Sequence, residues 1–83
     1  MPGKPTRITN SIRALRFAHG EMTQAQLAER IGVTRQTIIA IEQSRYSPSL
    51  EIAFQIARVF QVPLDAVFQY PNGADHAAAS ESR

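Results

Sequence analysis

The chain has 83 residues, of which 43% are hydrophobic and 19% charged, with no cysteine and a formal charge of +2. This describes one small globular domain, with no room for a second and with neither a disulfide scaffold nor a thiolate zinc site. Seven basic residues stand against three acidic ones in residues 1–46, and two against four in residues 47–83. That separation suits either a scatter of solvated charge or a basic face for an anionic partner. A chain this short must rely on tight helix packing or on self-association. It has no run of 18 apolar residues, and its first ten residues lack the apolar core of a signal peptide. No membrane contact and a cytoplasmic location are therefore expected.

Five helices are expected. The first runs from about Asn10 to His19, with Ile8, Ile12 and Leu15 as its apolar stripe and Gly20 as its stop. The second opens at Thr23, where Thr23-Gln24-Ala25-Gln26 forms a capping box and Met22 with Leu27 a hydrophobic staple. Leu27, Ala28 and Ile31 face inward, and Gly32 ends the helix in a left-handed conformation. One residue, Val33, precedes the next cap, Thr34, and Val33 with Ile38 repeats the staple spacing. Ile38 and Ile41 then face the core. Two capped helices joined by so tight a turn must cross at a large angle.

Pro48 and its flanking serines mark the fourth helix, about Ser49 to Phe60, capped by Ser47 or Ser49. Leu50, Ala53, Phe54, Ala57 and Phe60 form one stripe, and Ile52, Ile56 and Val59 a second. A helix apolar around more than half its circumference is central or is covered by another chain. Val62-Pro63 breaks it, and Leu64 to Phe68 makes a short fifth helix. Thr6–Thr9 and Val67–Tyr70 have mild strand character and can pair. Residues 1–5 and 71–83 read as flexible tails, leaving a domain over residues 6–70.

Residues 22–43, MTQAQLAERIGVTRQTIIAIEQ, closely resemble the helix-turn-helix of the phage Cro and repressor type, the XRE family of regulators. Thr23-Gln24, Leu27-Ala28, Ile31-Gly32-Val33, Thr34–Ile38 and Ile41-Glu42 carry the likeness, which places the motif at residues 23–42. Arg45–Leu50 and Val62–Asp65 extend it to about residues 8–70. One departure is visible: Gly20-Glu21-Met22 is one residue longer than the commonest link between helices one and two. The resemblance implies an all-α, five-helix, lambda-repressor-like DNA-binding domain, usually a homodimer on a palindromic operator in double-stranded DNA. It also implies that the helix starting at Thr34 lies in the major groove.

Helical geometry separates the roles on that helix. Thr34, Ile38 and Ile41 share one face; Arg35, Gln36, Ile39, Ala40 and Gln43 point away. Arg35 can form two bonds to guanine and Gln36 two to adenine, while Ile39, expected to be solvent-exposed, and Ala40 can meet thymine methyl groups. DNA-backbone contacts are expected from Thr23, Gln24, Thr34 and Thr37 at helix starts, and from Arg45 and Tyr46 beyond the recognition helix. Tyr46 can equally be a lid on the core. Arg16 and Glu42 both lie near the apolar side, where a lone charge is costly. Their pairing resolves this, and domains like this one carry such a bridge.

The apolar surplus of the C-terminal third points to a two-fold interface among Ile56, Val59, Val62, Leu64, Val67, Phe68 and Tyr70, with Phe17 at its edge. These residues can also simply finish the monomer core. His19 and His76 are too few for a metal site, and the serines lack a His–carboxylate partner. No enzyme activity, cofactor, metal or small-molecule ligand is therefore expected. Two functions remain: a sequence-specific transcriptional repressor, or an antitoxin-like or adaptor protein that chiefly binds a protein partner.

Overall fold

A computed structural model of the chain describes residues 6–71. The helices are α1 (Ile12–Ala18), α2 (Gln24–Ile31), α3 (Arg35–Glu42), α4 (Leu50–Phe60) and α5 (Leu64–Val67). Two short strands, β1 (Thr9–Asn10) and β2 (Phe68–Gln69), join the ends of the domain. They pair antiparallel, with Thr9 opposite Gln69 and Asn10 opposite Phe68. The expected tails at 1–5 and 71–83 lie outside the described residues, Pro71 excepted.

None of these helices is long enough to persist alone in water, so caps and packing define them. Thr23 caps α2 through a complete capping box: its hydroxyl accepts from the Gln26 amide, and the Gln26 side chain accepts from the Thr23 amide. Thr34 caps α3 by accepting from the Thr37 amide, and Ser49, rather than Ser47, caps α4 by accepting from the Ile52 amide. The first helix begins later than expected because Asn10 belongs to the strand. Its side-chain oxygen accepts from the Ile12 amide, and its amide group donates to the Ile41 and Glu42 carbonyls at the end of α3. Ile8 therefore lies on the chain leading into that strand, not on the stripe of α1.

The core gathers Ile12, Leu27, Ile38, Ile41, Ile56, Phe60 and Val67, with Met22 and Ala28 beside them. Two sequence expectations fail here. Ile56 and Val67, assigned to a subunit interface, are 0% exposed; they finish the monomer core and have no surface to offer a partner. The stripe expected on α4 is rotated as well. Ala53, Ile56, Ala57 and Phe60 face inward, leaving Leu50 66% and Phe54 50% exposed. On α4 this arises because the helix offers two apolar stripes, and contact with α2 and α5 selects a face centred on Ile56; Val67 is buried because α5 packs on α4. Val59, Val62, Leu64 and Phe68 are half-buried against the same core, and Tyr70 is exposed beneath the Arg7 guanidinium.

A charged group also lies within this core. Arg16 on α1 meets Glu42 on α3 through a two-pronged contact, Nε to Oε2 at 2.7 Å and Nη2 to Oε1 at 3.2 Å. The third prong, Nη1, donates to the Met22 carbonyl at 2.8 Å. Gln24 on α2 donates to the same Glu42 carboxylate at 3.2 Å. Both charged side chains are about nine-tenths buried. Each charge is thus satisfied by several partners, the condition under which a buried ion pair is tolerated.

Removing one partner strands the other in a place water barely reaches. Arg16→Met or Glu42→Gln alone is expected to destabilise by about 3 kcal/mol, and the double change to recover part of that loss. Denaturant unfolding of the full double-mutant cycle measures it; additive single effects would show that the two side chains do not support one another.

A second expectation concerns the two left-handed helix ends. Gly32 at the end of α2 has φ +77°, and Gln61 at the end of α4 has φ +59° with a side chain. A methyl group on Gly32 would meet no atom within 4 Å, so only backbone strain opposes it. Gly32→Ala should cost about 1 kcal/mol, and Gln61→Gly should gain up to ~1 kcal/mol. Opposite shifts of the unfolding midpoint are the check.

Candidate nucleic-acid interface

The interface is built on the α2–α3 corner. Gly32 closes α2, Val33 bridges by donating its amide to the Ala28 carbonyl, and Thr34 starts α3. With so short a link, α3 leaves the corner along a single direction. Its inner side, Ile38 and Ile41, is locked into the core. Thr34, read from the sequence as part of that inner face, is exposed instead: its hydroxyl caps the helix and meets the Thr37 hydroxyl at 3.0 Å.

On the outer side, Arg35, Gln36 and Gln43 are exposed. Ile39 and Ala40 are half-buried, so Ile39 is less exposed than expected. Beyond α3 the chain turns back, with the Arg45 amide donating to the Ala40 carbonyl and Ser44 in a left-handed conformation. That turn closes over the last turn of α3. Arg45 is left exposed, while Tyr46 is half-buried and packs on the core, so its ring serves as the lid.

The start of α2 faces the same side. Thr23 is exposed, and Gln24 is half-buried with its amide held by Glu42. That bond uses one of the two amide hydrogens and leaves the other, with the side-chain oxygen, available to a ligand. Among the described residues, an open cleft of about 720 Å³ runs between α1, the start of α2 and α3; Asn10, Arg13, Phe17, Gln24, Arg35 and Gln43 are on its walls. Phe17, expected at the edge of a dimer face, lines this cleft instead and is 54% exposed. The Arg13 and Arg16 guanidinium groups lie 5.5 and 5.8 Å from its ring centre.

Asn10 and Phe17 were not assigned to the interface from sequence, and Arg13 only as an auxiliary phosphate contact. A signal existed for two of them: Arg13 and Phe17 are one helical turn apart and therefore neighbours on α1. Nothing local marked Asn10 for this cleft, since its amide group donates to residues about thirty positions away. The N-terminal arm is clamped to the same end of α3 by further long-range bonds: the Thr6 amide donates to the Ser44 carbonyl, and the Ser44 hydroxyl donates to the Ile8 carbonyl at 2.9 Å.

The chain can now be set beside known proteins. The helix-turn-helix family model matches residues 12–67, the whole span from α1 to α5. An uncharacterised HTH-type transcriptional regulator of Methanocaldococcus jannaschii is 48% identical over 61 residues, covering 74% of this chain and 91% of that protein. The uncharacterised HTH-type transcriptional regulator YgzD of Bacillus subtilis is 42% identical, covering 71% and 88%. A Bacteroides fragilis protein of known crystal structure shares the fold, with a TM-score of 0.65 at 24% identity, covering 75% of this chain and 98% of that one. The chain belongs to the helix-turn-helix family, in its XRE-type branch, a family of DNA-binding proteins and not of enzymes.

Proposed function

We propose that this chain is a sequence-specific transcriptional repressor that binds a palindromic operator as a homodimer, with α3 in the major groove of double-stranded DNA. The observation that carries the reading is the exposed row Arg35, Gln36 and Gln43 on a helix whose opposite side is locked in the core. A rigidly held helix with hydrogen-bonding tips suits base-edge readout. Arg35 reads guanine and Gln36 adenine; Gln43 reaches a third base, and Ile39 and Ala40 meet thymine methyl groups. Thr23, Gln24, Thr34, Thr37 and Arg45 hold the flanking phosphates.

Family membership and the two HTH-type regulators to which the chain is similar support the regulatory role. No helix among the described residues is long and apolar enough to cross a membrane, which suits work on cytoplasmic DNA. Homodimeric binding requires the two α3 helices to stand about 34 Å apart, one turn of duplex.

Mutation separates the two kinds of contact. Arg35→Ala and Gln36→Ala should each cost about 1–3 kcal/mol on the cognate site and relax preference at one base pair per half-site. Arg45→Ala should weaken cognate and random DNA alike. Equilibrium binding to a panel of single-base operator variants is the measurement; a uniform loss for all three variants would show that α3 does not read bases.

Salt dependence tests the backbone contacts separately. Among the assigned phosphate contacts only Arg45 carries a full charge, with Arg7, Arg13 and Arg30 as helpers. The slope of log affinity against log salt should therefore be modest, on the order of two to four ions released per dimer. An affinity that does not change with salt would rule this footprint out.

A further inference from the structure

The apolar surface on the outer side of α4 has no cover among the described residues. On the solvent side of α4, Leu50 and Phe54 stand exposed one turn apart. Beside them, on the flank towards Ala53, lies an apolar groove of about 350 Å³ lined by Ile8, Pro48, Leu50, Ala53, Leu64 and Phe68. The groove joins α4, α5 and the approach to β1 into one continuous patch. Exposed contiguous apolar surface on a domain this small marks a contact site.

The charges around the patch say what covers it. Glu51 and Arg58 are both exposed on α4, two helical turns apart, so they lie on one flank of the Phe54 ridge. Among the described residues neither takes part in an ion pair. Their spacing is too long for pairing within a helix, which needs three or four residues. A parallel neighbour in register would set Glu51 against Glu51 and Arg58 against Arg58. An antiparallel neighbour related by a two-fold axis sets Glu51 against Arg58 of the other copy, at both ends at once. The flank is self-complementary in that arrangement alone.

We infer that this face seats a second copy of the same chain, with α4 laid antiparallel on α4 about a two-fold axis beside Phe54 and Gln55. The two Phe54 rings meet at the axis, Leu50 packs on either side, and two Glu51–Arg58 pairs close the rim. This interface rests on the homodimeric reading above and gives that dimer its contact residues. It replaces Ile56 and Val67, which the core consumes, and keeps Leu64 and Phe68 as the wall of the groove.

Charge reversal tests it in the full chain. Glu51→Arg and Arg58→Glu, each alone, place like charges at both ends and should raise the dimer dissociation constant about 30-fold in sedimentation equilibrium at low salt. An equimolar mixture of the two variants restores both pairs and should return the dimer to nearly wild-type affinity. That rescue also proves that both variants are folded. Phe54→Lys should give a folded monomer by circular dichroism and sedimentation. A wild-type dimer that none of these changes weakens would overturn this interface and leave the dimeric reading standing. A wild-type chain that stays monomeric at micromolar concentration and binds DNA as a single copy would overturn both.

Discussion

The fork between Arg16 and Glu42 is the contact on which the rest of the domain depends. It joins α1 to α3 in the interior, and its remaining donors and acceptors draw in the Met22 carbonyl and the Gln24 amide at the start of α2. Three helices are thus referred to one carboxylate and one guanidinium. Apolar contacts alone are non-directional and tolerate small rotations. A planar guanidinium gripping a carboxylate with two parallel bonds does not. The recognition helix is therefore held in rotation as well as in depth, and its outer row of side chains faces one direction.

The same network explains the geometry of the link after α1. Gly20 and Glu21 both adopt left-handed conformations, which turns the chain sharply enough to bury Met22 and aim its carbonyl at Arg16. The Met22 amide in turn donates to the Arg16 carbonyl at 2.9 Å. At the C-terminal end of α3, Asn10 and Ser44 tie the N-terminal arm to the helix terminus, satisfying carbonyl groups that a short helix leaves free. The C-terminal end of α3 is thereby anchored to distant parts of the chain, while its N-terminal end is held by the Thr34 cap and the tight turn from α2.

The surface divides accordingly. One side carries the hydrogen-bonding row of α3, the exposed start of α2 and the Arg13–Phe17 stack. Another carries Leu50, Phe54 and the apolar groove, flanked by Glu51 and Arg58. A single domain of this size cannot bury every apolar residue it holds; here Leu50 and Phe54 share α4, while Phe17 and Tyr70 are exposed elsewhere.

Much of this was legible in the residues themselves. Helix starts at Thr23, Thr34 and Ser49, the stop at Gly32, and the inward Leu27, Ile31, Ile38 and Ile41 follow from capping chemistry and helical period, which act over four residues or fewer. The Arg16–Glu42 pairing followed from two charges placed on apolar faces. Tertiary structure decided what depends on contacts between distant segments. Asn10 left α1 because its amide found carbonyl groups at the end of α3. Tyr46 became a lid because the core offered it a place. Ile56 rather than Leu50 turned inward because α4 presents two stripes of similar hydrophobicity, and period alone cannot choose between faces that are equally apolar; only the neighbours that cover one of them can.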